Sequence, residues 1–416
     1  MAGAAYPAKR WGVLFLLFLS IAINLLDRQV LSVLAPVIRA DLGLTATQYS
    51  NVLVAFLLGL TIFQFPAGWL IDRFGARFGL PAIMAVWSLA NGLHSAARNL
   101  LQLCGLRFML GAGECGNYSA GIKTIAMWFP PRERALAGGI FNGGTVIGAF
   151  LAPLVIVAVN ARFGWRMAFV IPSVLGLLWI IPWLMVYRDR ATEPAARPAG
   201  ASRPGAPARA RGGHKSFIQL LAVRQVWGAI LIRAMGGPVV HFYWYWLPEY
   251  LARERGFSMA EIGMTAGIPF LFAGLGNILG GWFSGYLMAR GWVADRARKA
   301  AFLLSALLCG ASILAPLAPS ALSAMALICT ATFGIAISVP AHIATLTDLF
   351  SADVLARLAG LTGLGEGIVN IVVQRATGMV VDRFSYLPVF ICAGLMPVLG
   401  LAALFGLVRK IEPVEV

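Results

Sequence analysis

The chain has 416 residues, of which 59% are hydrophobic and 12% charged, with a mean hydropathy of +0.80. Soluble domains carry about twice that share of charge, so composition excludes an ordinary soluble enzyme. The formal net charge of +16 would direct a soluble protein to nucleic acid. Here the basic residues gather at the ends of apolar runs and in one linker, which is a bilayer-orientation pattern; a lipid bilayer, and no nucleic acid, is the expected partner.

Apolar windows predict twelve helices, at about 11–34, 49–70, 79–97, 101–127, 135–159, 167–187, 226–250, 262–289, 300–317, 321–347, 357–381 and 385–408. A spanning helix needs roughly 20 apolar residues, so twelve consume most of the chain and leave no room for a large extramembrane domain. Lys9 and Arg10 precede the first apolar run as in a signal peptide. No small-residue cleavage site follows, and the run is read as the first spanning helix. The expected fold is an all-α membrane protein of twelve transmembrane helices, with six-helix bundles at 1–187 and 226–416 around a basic cytoplasmic linker at 188–225. Arg188–Lys215 is rich in Ala, Pro, Arg and Gly without apolar periodicity, so disorder is expected there. Phe217, Leu220 and Leu221 read as a short surface helix. Lys and Arg are in roughly threefold excess in the loops on the side of the two termini, which places both termini in the cytoplasm.

Cys104, Cys115, Cys309, Cys329 and Cys392 all fall in apolar segments and read as small core residues. His94, His214, His241 and His342 are scattered without metal-ligand spacing. No metal, cofactor or enzymatic nucleophile–base pair is expected.

The informative residues are the charges inside the spans, each costing about 2.5–3.5 kcal/mol at mid-helix on insertion scales. The apolar run 11–26 covers about 24 Å, short of a core of roughly 30 Å. The first helix is therefore expected to continue through Asp27 and Arg28 towards Pro36, carrying both charges into the membrane. In the fourth helix Arg107 and Glu114 are seven residues apart and share a face; Arg107 falls at about the depth of Asp27, so the two are expected to pair across the bundle. In the seventh helix Arg233 precedes Gly236, Gly237 and Pro238, where a kink is expected, and then His241, Tyr243, Trp244, Tyr245 and Trp246. These aromatics suit either a cavity wall or an interfacial belt. Asn142 and Thr145 lie one turn apart in the fifth helix and suit ligand hydroxyls or helix packing. Lys123 reads as snorkelling, Glu366 as facing inner solvent, and Arg375 has no evident role. Guanidinium groups recognise carboxylates bidentately, and desolvated carboxylates titrate nearer neutral pH. Together they point to proton-coupled movement of an organic anion.

The loop after the second helix reads Gly68-Trp-Leu-Ile-Asp72-Arg73-Phe-Gly75-Ala-Arg77. It resembles the GxLxDRxGxR signature of the major facilitator superfamily, in which these charges latch the two halves as a gate. Arg107-x-x-x-Gly111-x-Gly113 resembles the family's fourth-helix motif, and the second half holds only a degraded copy of the loop signature at Gly281, Gly285 and Arg290. Residues 24–36, 107–144 and 163–169 resemble the anion:cation symporters more closely, in particular the bacterial hexuronate and sugar-acid transporters. The resemblance implies two six-helix halves of inverted repeats with a site at the midplane. It implies that Asp27 and Glu114 couple protons, that Arg107 pairs with them, that Arg28 faces substrate, and that Arg233 matches a cationic position. Thr145 stands where some sugar-acid transporters place a ligand-contacting Gln. The implied activity is symport of protons with a small sugar acid by a monomer in the inner membrane; an organic-anion exchanger of the same fold is the alternative.

Overall fold

The structure is a computed structural model that describes residues 9–188, 217–350 and 354–414. The described residues form helices and no strands. They are α1 (Arg10–Val33), α2 (Ala35–Leu42), α3 (Ala46–Leu93), α4 (Leu100–Glu114), α5 (Asn117–Trp128), α6 (Pro131–Phe163), α7 (Trp165–Val186), α8 (Phe217–Leu221), α9 (Arg224–Arg255), α10 (Met259–Thr265), α11 (Ile268–Ala289), α12 (Ala294–Cys309), α13 (Ala321–Leu349), α14 (Leu355–Arg383) and α15 (Leu387–Ala403). Among the described residues, eight helices are long and apolar enough to cross a membrane. Joined across their breaks, the helices are consistent with twelve crossings, six on each side of 188–216. The expected linker disorder lies outside the described residues, apart from its end, where the anticipated short helix is α8 with Leu220 buried.

Three local features depart from the sequence expectation. The second and third predicted helices are one run, α3, divided at Gly75 (φ 73, ψ 166), a conformation open to glycine without a Cβ penalty. The fourth predicted helix breaks at Cys115–Gly116, directly after Glu114. The eighth breaks at Ala266–Gly267, where a Cβ on Gly267 would collide with the Phe150 carbonyl of α6. Pro238, where a kink is expected, lies inside α9, which is continuous from Arg224 to Arg255. Cys309 and Cys329 are buried, as expected of core residues, while Cys104 and Cys115 are half-buried and Cys392 is exposed.

α1 and α9 begin at one end of the molecule and finish at the other, where Arg39 of α2 pairs with Glu249 of α9. At that second end, away from the termini, the halves are sewn together. Asp382 of α14 accepts from the N–H groups of Ala46 (2.7 Å) and Thr47 (2.6 Å) at the start of α3, an acidic cap on a helix N-terminus. Arg375 donates to the Thr47 carbonyl (3.2 Å), which gives this otherwise unexplained arginine its place. The Tyr49 hydroxyl donates to the Tyr245 carbonyl (3.0 Å). Gly378 lets α14 press against Ser50 and Ala46.

The buried apolar residues repeat this asymmetry. Around the seam they form one cluster drawn from both halves, including Val30, Tyr49, Trp246 and Phe390. On the side of the termini the core divides in two. One cluster belongs almost wholly to the first half, around Leu17, Trp87 and Trp183, and the other wholly to the second, around Ile230, Leu349 and Leu404. The described residues are therefore closed at the seam and separated into two bodies below it.

Asp382→Asn weakens the cap on α3. With spin labels at Ala40 and Glu254, in a background lacking the native cysteines, this variant is expected to populate longer distances across the seam than wild type. An unchanged distance distribution would remove Asp382 from the seam's support.

Candidate functional site

α1 carries the central charges because its apolar run is too short to end before them, and the structure continues the helix to Val33. Asp27 is fully buried. Its Oδ1 accepts from the Asn91 amide of α3 (2.7 Å), which is itself held by the Phe169 carbonyl of α7 (3.1 Å). Its Oδ2 makes no hydrogen bond. The next residue points elsewhere: Arg28 Nε donates to Glu114 Oε2 at 2.5 Å, with the Arg28 side chain 17% exposed and that of Glu114 fully buried. Glu114 Oε1 makes no hydrogen bond of ordinary geometry, and the Asn24 amide is the polar group beside this carboxylate. Glu114 is the last residue of α4, and the break at Cys115–Gly116 directly follows it.

Arg107 is buried and donates to the Arg28 carbonyl (3.3 Å). The expected Arg107–Asp27 ion pair is not formed among the described residues; Arg107 interacts electrostatically with Asp27 and Glu114 without bonding either. The reason is that Arg28 reaches Glu114 first, while Asn91 occupies Asp27. The guanidinium groups of Arg28 and Arg107 both lie over the Phe56 ring, at 5.3 and 5.7 Å from its centroid, within cation–π range.

The second half presents a matching pair. Arg233 Nε donates to Glu366 Oε2 (2.6 Å), and Nη1 reaches the Thr362 hydroxyl (3.4 Å). These side chains are 39% and 19% exposed, the most open of the central charges. Glu366 is thus an arginine partner and not a lone carboxylate facing solvent. A Cβ at Gly237 would collide with its carboxyl group, so the glycine expected to weaken α9 instead makes room for Glu366. His241 bonds its own helix at the Gly237 carbonyl (2.9 Å) and has Glu366, Arg28 and Arg233 as its charged neighbours.

The aromatic run of α9 divides by helical direction. Tyr243 donates to Ser312 (2.8 Å) and packs on Phe390 inside the second half, away from the arginines. Tyr245 is the tyrosine beside Arg28, Arg107 and Glu114, and its buried hydroxyl has no hydrogen-bond partner. A period-of-3.6 reading of α9 against Arg233 would have favoured neither, since which face meets the other half depends on tertiary packing. Asn142 is exposed and bonds back to the Gly138 carbonyl (2.9 Å). Thr145 lines an apolar cavity with Tyr243, Trp244 and Phe270, apart from the charges. Lys123, expected to snorkel, donates its ammonium to the Ile71 carbonyl (3.2 Å). In the loop signature, Gly75 forms the break in α3, Arg73 is exposed and the Arg77 guanidinium lies over the Phe78 ring (5.5 Å). The surroundings of Gly68 and the side chain of Asp72 lie outside what the structure describes.

A helical membrane protein of two halves, with charged pairs set among its spanning helices, has the architecture of a membrane transporter. Residues 17–290 match the model of the Major Facilitator Superfamily, and the chain belongs to that family. It is 28% identical to the hexuronate transporter of Escherichia coli K12, over 98% of this chain and 96% of that one. It is 31% identical to the probable L-galactonate transporter of the same organism, over 95% of this chain and 89% of that one. Among solved structures it resembles an inward-facing bacterial homologue of the lysosomal transporter Spinster, with a TM-score of 0.72 at 20% identity, covering 98% of this chain and 96% of that one. It also resembles a D-xylose–proton symporter, with a TM-score of 0.70 at 17% identity, covering 97% and 98%. The chain is a multi-pass membrane transporter and not an enzyme.

Proposed function

We propose that this chain imports a small sugar acid, such as a hexuronate or aldonate, together with protons, as a monomer in the inner membrane with both termini in the cytoplasm. The observation that carries this reading is the Arg28–Glu114 pair, an arginine neutralised by a buried carboxylate that keeps one oxygen unbonded. A guanidinium fork already holding one carboxylate is chemically ready to hold another. A buried carboxylate deprived of its arginine is costly as an anion, by about 3–5 kcal/mol, and relieves that cost by taking a proton. Substrate binding at Arg28 and protonation at Glu114 are therefore one exchange, in which the substrate carboxylate replaces the protein's own.

Asp27 is the second proton site, fully buried with Oδ2 unbonded. Arg107 supports both by its charge and by fixing the Arg28 backbone. Arg233 approaches from the second half, and the unpartnered Tyr245 hydroxyl offers a hydrogen bond to a sugar hydroxyl. With the termini read as cytoplasmic, the closed seam and the cores parted on the side of the termini support a state open to the cytoplasm. Rocking of the halves about this layer exposes it to either side. The hexuronate and galactonate transporters among the relatives favour a sugar acid over other organic anions.

The test is purified protein in liposomes under an imposed inward proton gradient, with galacturonate, glucuronate, galactonate, galactarate and lactate offered in turn. Internal acidification that follows one sugar acid is expected. Labelled-substrate exchange without acidification would instead show an anion exchanger, and silence in both would refute the substrate class. Glu114→Gln is expected to keep exchange and lose acidification; proton-driven accumulation at the wild-type rate would exclude Glu114 from coupling. Arg28→Lys keeps the charge but loses the fork. It is expected to weaken substrate binding by about tenfold or more, and unchanged affinity would remove Arg28 from the site.

A further inference from the structure

We infer that Glu366 is a tethered competitor for the substrate: its carboxylate occupies Arg233 in the empty carrier, and the anion must displace it to engage that arginine. This rests on the reading of the cleft as an anion site. Four observations carry it. The pair is close and directional, with Arg233 Nε donating to Glu366 Oε2 at 2.6 Å. It is the most exposed of the central charge pairs, so a solute arriving in the cleft meets it first. The guanidinium is only partly held: Nε is bonded by Glu366 and Nη1 is reached by the Thr362 hydroxyl (3.4 Å), while Nη2 has no hydrogen-bond partner among the described residues. Finally, Gly237 leaves a notch on α9 that the Glu366 carboxylate fills.

The function of such a contact follows from charge balance. An arginine standing unpaired in a cleft between apolar bodies attracts any small anion. With Glu366 in place the unloaded site is neutral at this arginine, and only a ligand that supplies a carboxylate in compensation gains from opening the pair. The Thr362 hydroxyl, within reach of Nη1, borders the position and suits a hydroxylated ligand. The site thus selects hydroxylated carboxylates over simple inorganic anions. Glu366 also sits on α14, whose other end forms the seam through Arg375 and Asp382. Displacement of its carboxylate therefore acts on the helix that closes the opposite face.

Two measurements on the purified full chain test this. Without ligand, an arginine-selective dicarbonyl reagent followed by mass spectrometry is expected to modify Arg233 several-fold faster in Glu366→Gln than in wild type. Gly237→Ala, which fills the notch and evicts the carboxylate while keeping its charge, is expected to do the same. Equal rates in all three proteins would overturn the proposal. With ligand, calorimetry over the sugar-acid panel is expected to show tighter binding by Glu366→Gln, by about two- to fivefold, the range of a half-exposed ion pair. It is also expected to show reduced discrimination against chloride and phosphate. Equal or weaker sugar-acid binding by this variant would overturn it. A wild-type chain that binds none of the panel would contradict the transport reading instead, and the labelling rates would then decide on Glu366 by themselves.

Discussion

Charges in an apolar layer must be compensated, and this constraint organises the centre of the molecule. Arg28, Arg107 and Arg233 face Asp27, Glu114 and Glu366 in one layer, with two direct ion pairs between them. Replacing a buried pair by apolar residues often leaves a protein as stable or more so, whereas removing one partner is strongly destabilising. The layer is therefore poor value as a stability device and well suited to exchange: a carboxylate from outside can take the place of one from inside, provided the displaced group is neutralised by a proton. Each arginine is bound firmly enough to be ordered and incompletely enough to be contested.

The rest of the architecture decides on which side that exchange occurs. The seam of Asp382, Arg375, Arg39, Glu249 and Tyr49 joins short polar ends to an apolar cluster shared by both halves. Below the charges the halves keep separate cores, so parting them there exposes little apolar surface that was buried in common. α3 and α14 are tied at the seam by Asp382 and meet again where Thr61 lies against Gly367, beside Glu366. Glycines at the crossing of α6 with α10 and α11, notably Gly263 and Gly267, let those helices approach closely. Close small-residue contacts are the usual means by which helices associate in lipid.

Much of this was legible in the sequence. Most helix positions followed from apolar runs, and the continuation of α1 through Asp27 and Arg28 followed from the length of the run before them. The loop signature and the fourth-helix motif resembled the family that the comparison then showed. Partners were harder. Arg28 and Glu114 are both visible in the sequence, but that they bond each other, leaving Asp27 to Asn91, depends on the rotation of α1 against α4. Glu366 lies 133 positions from Arg233, and its role appears only when α9 and α14 are packed together. The choice between Tyr243 and Tyr245 was of the same kind, since both are buried and only tertiary contact separates core from site. The break after Glu114 had no strong signal, because a Cys-Gly step inside an apolar run reads as uninterrupted helix.

The central claim is that a substrate carboxylate and Glu114 compete for Arg28, so that binding and protonation are linked. If so, the displaced, buried Glu114 takes up a proton when substrate binds, and affinity rises as pH falls. The most direct measurement is calorimetric titration of the purified chain with its preferred sugar acid, at one pH, in buffers of different ionisation enthalpy. The account predicts net proton uptake on binding by wild type and a clear reduction of that uptake in Glu114→Gln. Binding without proton uptake, or uptake unchanged in the variant, would contradict it.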